Sequence, residues 1–180
     1  MADFFEELED KHIAFIEKQP MFFTATAAEN ARINLSPKGM DSFRVLGTNK
    51  VAYLDMIGSG NETAAHLLAD GRITIMFCSF DRNALIMRLF GRGRMVQPDD
   101  PEWGQLIPHF NALPSIRQIM VMGVESVQTA CGWGVPQMEL VGERPTMSKW
   151  AENKGADGLK LYKKEKNSMS IDGLPTGIQV

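Results

Sequence analysis

The chain has 180 residues, 44% of them hydrophobic, and a net charge of −3, so it is long enough to bury a core without disulfides or metals. Its acidic and basic residues are interspersed, which is not the footprint of a phosphate-backbone binder, and nucleic acid is not an expected partner. The opening "MADFFEELEDKHIAFIEKQ" is acidic and amphipathic and no apolar run approaches the thickness of a bilayer, so neither a signal peptide nor a membrane segment is expected.

Asp3 and Glu6 have capping-box spacing, and Phe4, Leu8 and Phe15 recur at helical intervals until Pro20, which predicts a first helix over Asp3 to Lys18. From Met21 the period becomes two. The runs "MFFTATA", "ARINLS", "RVL", "VAYLDM", "RITIMFCSF" and "ALIMRLFGRGRMV" read as strands separated by turns, implying an antiparallel sheet or barrel. Hairpins are expected at "AEN", at "GTN" (Gly47 to Asn49) and at "DRN" (Asp81 to Asn83). Between the fourth and fifth runs, Asn61 to Asp70 reads as a short helix closed by Gly71. "DDPEWGQLIPHF" is helical from Pro101 onward, and "IRQIMVMGVESVQTA" returns to strand character. "CGWGVPQMELVGERP" is irregular, and the tail carries the helical pieces "PTMSKWAENKG" and "GLKLYKKEKN". With no internal repeat or low-complexity linker, residues 1–180 read as one domain with a wrapped C-terminal extension.

Cys78 and Cys131 are far apart, as in a chain kept in a reducing cytoplasm. His12, His66 and His109 are isolated from one another and from both cysteines, so each is expected on a helix surface or half-buried, and no metal site is expected. In "ARINLSPKG" the odd positions Ala31, Ile33 and Leu35 are apolar and the even positions Arg32, Asn34 and Ser36 polar, with Lys38 just past Pro37. One face is thus expected to bury and the other to bind or be wetted. Arg88, Phe90, Arg92 and Arg94 likewise share a strand face, suited to gripping an anion or to pairing across the sheet. Gly91 and Gly93 weaken that strand unless something approaches closely or the sheet bends there.

The turn "IGSGNET" opens the short helix. Ser59 and Glu62 have capping-box spacing, and Gly58 and Gly60 serve the turn; the free N–H groups and dipole of the same helix end would also suit an anion. The residues by themselves leave both readings open. No Ser/His/Asp or Cys/His arrangement and no carboxylate pair points to hydrolysis.

The order of these pieces resembles the flavin-binding split barrel of the pyridoxamine 5′-phosphate oxidase superfamily, over about Met21 to Val96 with a further fit at "CGWGVP" and "IDGLP". The resemblance implies a mainly β fold, a six-stranded antiparallel FMN-binding split barrel with peripheral helices. It further implies a cytoplasmic homodimer with two FMN sites at the dimer interface, in which the flavin performs redox chemistry on a small-molecule substrate. Carried onto this sequence, it places Asn34, Ser36 and Lys38 along a strand lining the flavin, and Leu54 and Asp55 beside the ring or ribityl chain. Asn61 and Thr63 fall at the phosphate, Arg88 is a further anion contact, and Trp133 is an aromatic surface from the partner subunit. The departures are specific. Where the oxidase has a Ser-Arg-Lys cluster this chain has Asn61, Glu62 and Thr63, and the chain ends "SIDGLPTGIQV" without the oxidase's Arg-Leu-x-Pro. Oxidation of pyridoxamine phosphate is therefore not the expected activity. A non-catalytic flavin or haem binder, or a deazaflavin reductase, is the alternative on the same barrel.

Overall fold

The computed structural model describes residues 2–113 and 115–180. Its centre is one antiparallel sheet: β1 (Asp3–Phe5), β2 (Phe22–Thr26), β3 (Asn34–Lys38), β4 (Phe43–Gly47), β5 (Lys50–Met56), β6 (Arg72–Cys78), β7 (Ile86–Val96) and β8 (Ile116–Ala130). The helices are α1 (Asp10–Ile16), α2 (Glu62–Ala69), α3 (Trp103–Leu106) and α4 (Thr146–Asn167). The strand order is β3-β2-β6-β7-β8-β5-β4. β8 runs for 15 residues and pairs along one edge with β7 and along the other with β5 and then β1. The sheet curls until β3, at one end, lies beside β5, and the Lys38 ammonium of β3 reaches Asp55 of β5 at 3.1 Å across the split in the barrel.

Alternation along the strands sets its two cores. Phe22, Val51, Tyr53, Ile75, Phe77, Met87, Leu89, Met120 and Met122 fill the interior. Ala52, Leu54, Ile119 and Val121 face outward and are covered by α3 through Leu106 and Trp103. Strands β5 and β8 are therefore apolar on both faces, which only a central, doubly covered strand tolerates. Where β7 crosses β8 the register slips between Phe90 and Gly91. The missing side chain of Gly91 leaves room for the Gly123 carbonyl, so the glycine serves a close backbone approach.

The expected hairpins join β2 to β3, β4 to β5 and β6 to β7, and the tail forms two helical pieces meeting at Gly155, whose φ of 65° breaks α4. Four expectations are corrected. The sheet has eight strands rather than six. One of them is β1, expected to be helical: Phe5 pairs with Val127, and its ring packs edge-on against His12 at 4.5 Å. That pairing overrides the helical spacing, and α1 begins only at Asp10. Strand β3 starts at Asn34 rather than Ala31, and its faces are reversed. Ile33 is 77% exposed and Leu35 66% exposed, whereas Asn34, Ser36 and Lys38 turn toward the barrel, because their polar groups find partners there. Finally, His12 and His66 are buried; His12 Nδ1 accepts from the Glu9 N–H at 3.0 Å.

Candidate functional site

At the end of the barrel where α2 begins, the inward-facing row changes from apolar to polar: Tyr53 is followed by Asp55 on β5, and Met120 is preceded by Gln118 on β8. The Asp55 carboxylate is fully buried there. It accepts from Arg117 Nε at 2.7 Å, Gln118 Nε2 at 2.8 Å and Lys38 Nζ at 3.1 Å. Burial by itself would raise the Asp55 pKa, but the Arg117 guanidinium, the Lys38 ammonium and the two side-chain hydrogen bonds outweigh it and hold the carboxyl well below its usual range. Burial pushes the neighbouring Tyr53 hydroxyl well above its usual value, and the Asp55 charge adds to this. Asp55 is thus an ionised counter-charge for two cations, leaving an excess of one positive charge among the three residues.

Both cations border a cleft of about 460 Å³ between β3, the Gly58–Gly60 turn and α2, within the size range of small-molecule sites. Asn34, Ser36 and Lys38 form one wall, Leu54 and Thr63 the floor, and Met40 and Met147 sit at its edge. The wall is organised by a chain of hydrogen bonds. Ser36 Oγ donates to Asn34 Oδ1 at 3.0 Å, and Asn34 Nδ2 donates to the hydroxyl oxygens of Thr63 at 3.1 Å and Thr26 at 3.2 Å. Thr26 in turn contacts His66 Nδ1 at 3.0 Å. Thr26 accepts from Asn34 and can donate its proton to His66, and the Ser36 oxygen, which only donates in this chain, stays free to accept from a ligand. The first turn of α2 adds backbone N–H groups that lie outside its helical ladder, and the positive end of its dipole. The arrangement can hold an anion beside an extended polar wall.

The structure brings Asn34, Ser36, Lys38, Leu54 and Thr63 together in this cleft. Asp55 lies beneath it as the buried counter-ion. Asn61 does not face the cleft: it is buried, accepting from Gln118 Nε2 at 2.7 Å and donating to Asn167 O at 3.3 Å. Arg88 is on the outer sheet face, 3.3 Å from Gln128 Oε1, and Trp133 is 85% exposed; neither enters this chain's cleft. The Ser59–Glu62 capping box is absent. Asn61 is the N-cap without a side-chain cap bond, and the Glu62 carboxylate instead accepts from Ile171 N–H. The residue that sequence reasoning missed is Arg117, 5% exposed and also donating to Gly60 O at 2.8 Å. Its signal was a lone cation at the head of the apolar run "IRQIMVMGV", a position that demands a buried partner. Among the described residues no group of three or more His, Cys, Asp or Glu could hold a metal, and no helix is long and apolar enough to cross a membrane.

In fold, the chain is similar to HupZ of Group A Streptococcus, with a TM-score of 0.55 and 18% identity over 67% of this chain and 91% of that one. It is also similar to an FAD binding protein from Mycobacterium smegmatis, with a TM-score of 0.51 and 12% identity over 70% and 97% of the two chains. In sequence, the pyridoxamine 5′-phosphate oxidase family protein ustO of Aspergillus flavus is 39% identical over 195 aligned positions, spanning 97% of this chain and 78% of that protein. The family model described as Pyridoxamine 5′-phosphate oxidase matches residues 8–131, from the loop before α1 to just past β8. With the split barrel and the cleft residues at hand, that match assigns the chain to the pyridoxamine 5′-phosphate oxidase family.

Proposed function

We propose that the cleft binds FMN and that the protein is an FMN-dependent oxidoreductase acting on a small molecule, as a homodimer with its cofactor sites at the interface. The observation that carries the reading is the convergence of Lys38 and Arg117, set by one buried carboxylate, on the N-terminal end of α2. The residues present fit the group: two cations and helix N–H groups suit a phosphate, and the polar wall of Asn34, Ser36 and Thr63 suits a ribityl chain. When bound, the flavin supplies the hydride chemistry. The chain's own residues bind and orient it. Lys38 and Arg117 hold the phosphate charge, Ser36 accepts along the chain of hydroxyls beside Asn34 and Thr63, and Leu54 with Met40 and Met147 keeps water from one side. The fold also serves a protein named for FAD binding, which is in keeping with a flavin here. The substrate differs from pyridoxamine phosphate on this reading, since Asn61, Glu62 and Thr63 stand in place of the basic cluster.

The dimer is supported by the exposed apolar face of β3, where Ile33 and Leu35 flank the cleft strand. Trp133 and Arg88, both outside this chain's cleft, are then the residues a second copy would offer. Sedimentation velocity of FMN-reconstituted protein, followed in the visible flavin band, tests cofactor and assembly together. Flavin absorbance is expected to travel with a species of about twice the 20.0 kDa chain mass and to bleach under anaerobic nicotinamide nucleotide or another small donor. A colourless protein contradicts the cofactor, flavin on a monomer contradicts the shared site, and flavin that no donor bleaches contradicts the oxidoreductase.

A further inference from the structure

We infer that Asn167, at the end of α4 and outside the stretch matched by the family, is a positioning residue of the anion site; the inference rests on the flavin reading above. The turn that opens α2 presents two carbonyls, Gly58 O and Gly60 O, close to where an anion would sit, and an unpaired carbonyl there would repel it. Both are engaged. Asn167 Nδ2 donates to Gly58 O at 2.9 Å and Arg117 Nη1 donates to Gly60 O at 2.8 Å. The Asn167 backbone carbonyl also accepts from Asn61 Nδ2, fixing the residue that caps the helix. Asn61 continues the link: its Oδ1 and the Asp55 carboxylate accept from the same Gln118 amide, at 2.7 and 2.8 Å. A hydrogen-bonded path therefore runs from the C-terminal extension through Asn61 and Gln118 to the carboxylate that sets Lys38 and Arg117.

Two features mark this as a built contact. Asn167 is fully buried with its Nδ2 spent on Gly58 O and its Oδ1 left without a partner among the described residues, and Thr176 Oγ1 donates to its backbone carbonyl at 2.5 Å, closing the segment on itself. The same segment holds the Glu62 carboxylate at the cleft edge, which accepts from the Ile171 N–H at 3.0 and 3.2 Å. The Asp172 carboxylate accepts from the Arg32 N–H at 2.8 Å and pairs with the Arg32 guanidinium, tying the extension to the approach to β3. The extension thus supplies, from outside the barrel, what an acidic residue in the turn takes away: it fixes Glu62 and turns the carbonyls from an incoming anion.

Titration of apoprotein with FMN and with riboflavin, for the wild type, Asn167→Ala and Thr176→Val, tests the assignment. Loss of the Asn167 amide is expected to weaken FMN roughly tenfold, as for a lost partner of a buried polar group, with riboflavin changed by less than about twofold because it carries no anion. Thr176→Val is expected to show the same selective loss at roughly threefold, and it decides the matter if Asn167→Ala does not fold. Equal weakening of both ligands, or an unchanged FMN-to-riboflavin ratio in the variants, overturns the positioning role while leaving the flavin site intact. A wild type that does not prefer FMN overturns the phosphate reading and this inference with it.

Discussion

Replacing Arg117 with methionine is expected to cost about 3–5 kcal/mol of folding stability, the typical penalty for leaving one member of a buried ion pair without its partner. The guanidinium is 5% exposed and sits 2.7 Å from a carboxylate that is itself 1% exposed. Lys38, at 3.1 Å, is the only other cation bonded to that carboxylate among the described residues. Methionine fills much of the volume, so the loss reports the charge rather than a cavity. For a chain of this length such a change lowers the melting temperature by roughly 10 °C. Adding Asp55→Asn to Arg117→Met is expected to restore part of the loss, because the uncompensated charge is then gone, and the two changes will be far from additive. Urea unfolding of the two single variants and the double variant measures this. A loss below about 1 kcal/mol for Arg117→Met, or strict additivity, would show that the ion network does not organise the cleft.

The second large effect lies in the sheet. A Cβ at Gly91 would stand 2.0 Å from the Gly123 carbonyl oxygen and 3.0 Å from its carbon, across the slip in register between β7 and β8. Backbone on both sides leaves nothing to rotate away, so Gly91→Ala is expected to cost more than about 3 kcal/mol, at the upper end for overpacking. Gly93, two residues along the same strand, is the internal control. Its added Cβ would meet only the methyl carbons of Leu67 and Ile73 at 3.1 to 3.2 Å, side-chain atoms that can shift, and Gly93→Ala should cost about 1–2 kcal/mol. Denaturant midpoints of the two variants compare them directly. Equal stability would mean that β7 and β8 do not approach at Gly91 as described.

These two positions also show what the sequence carries. The reading of Gly91 as a place of close approach or of a bend followed from local rules, as did β2, β4 to β8 and α2, since alternation, breakers and hairpin turns are properties of neighbouring residues. The N-terminal segment failed because Phe5 is placed by its pairing with Val127, 122 residues away, and no local pattern encodes that. Strand β3 failed in the sense of its faces. Alternation identified two faces, but the side that turns inward was decided by Thr26, Thr63 and Asp55, which supply polar partners from other elements. Within the site, Lys38 and Thr63 were legible through the resemblance. Asn61 was not, because the N-cap side chain points to Gln118 and Asn167 rather than across the turn. Arg117 and Asn167 lie 62 and 109 residues from the groups they hold, Asp55 and Gly58, so only the folded chain brings them to the cleft.

The central claim is that the phosphate of a flavin is held where Lys38 and Arg117 converge on α2, and a crystal structure of the protein grown with FMN tests it most directly. The phosphate is expected within hydrogen-bond reach of Lys38 or Arg117 and of the first turn of α2, with the ribityl chain along Asn34, Ser36 and Thr63. A phosphate bound elsewhere would contradict the account, and the competing location is specific: the larger cleft of about 520 Å³ beside α1, lined by Arg44 together with Phe22, Phe43 and Phe77.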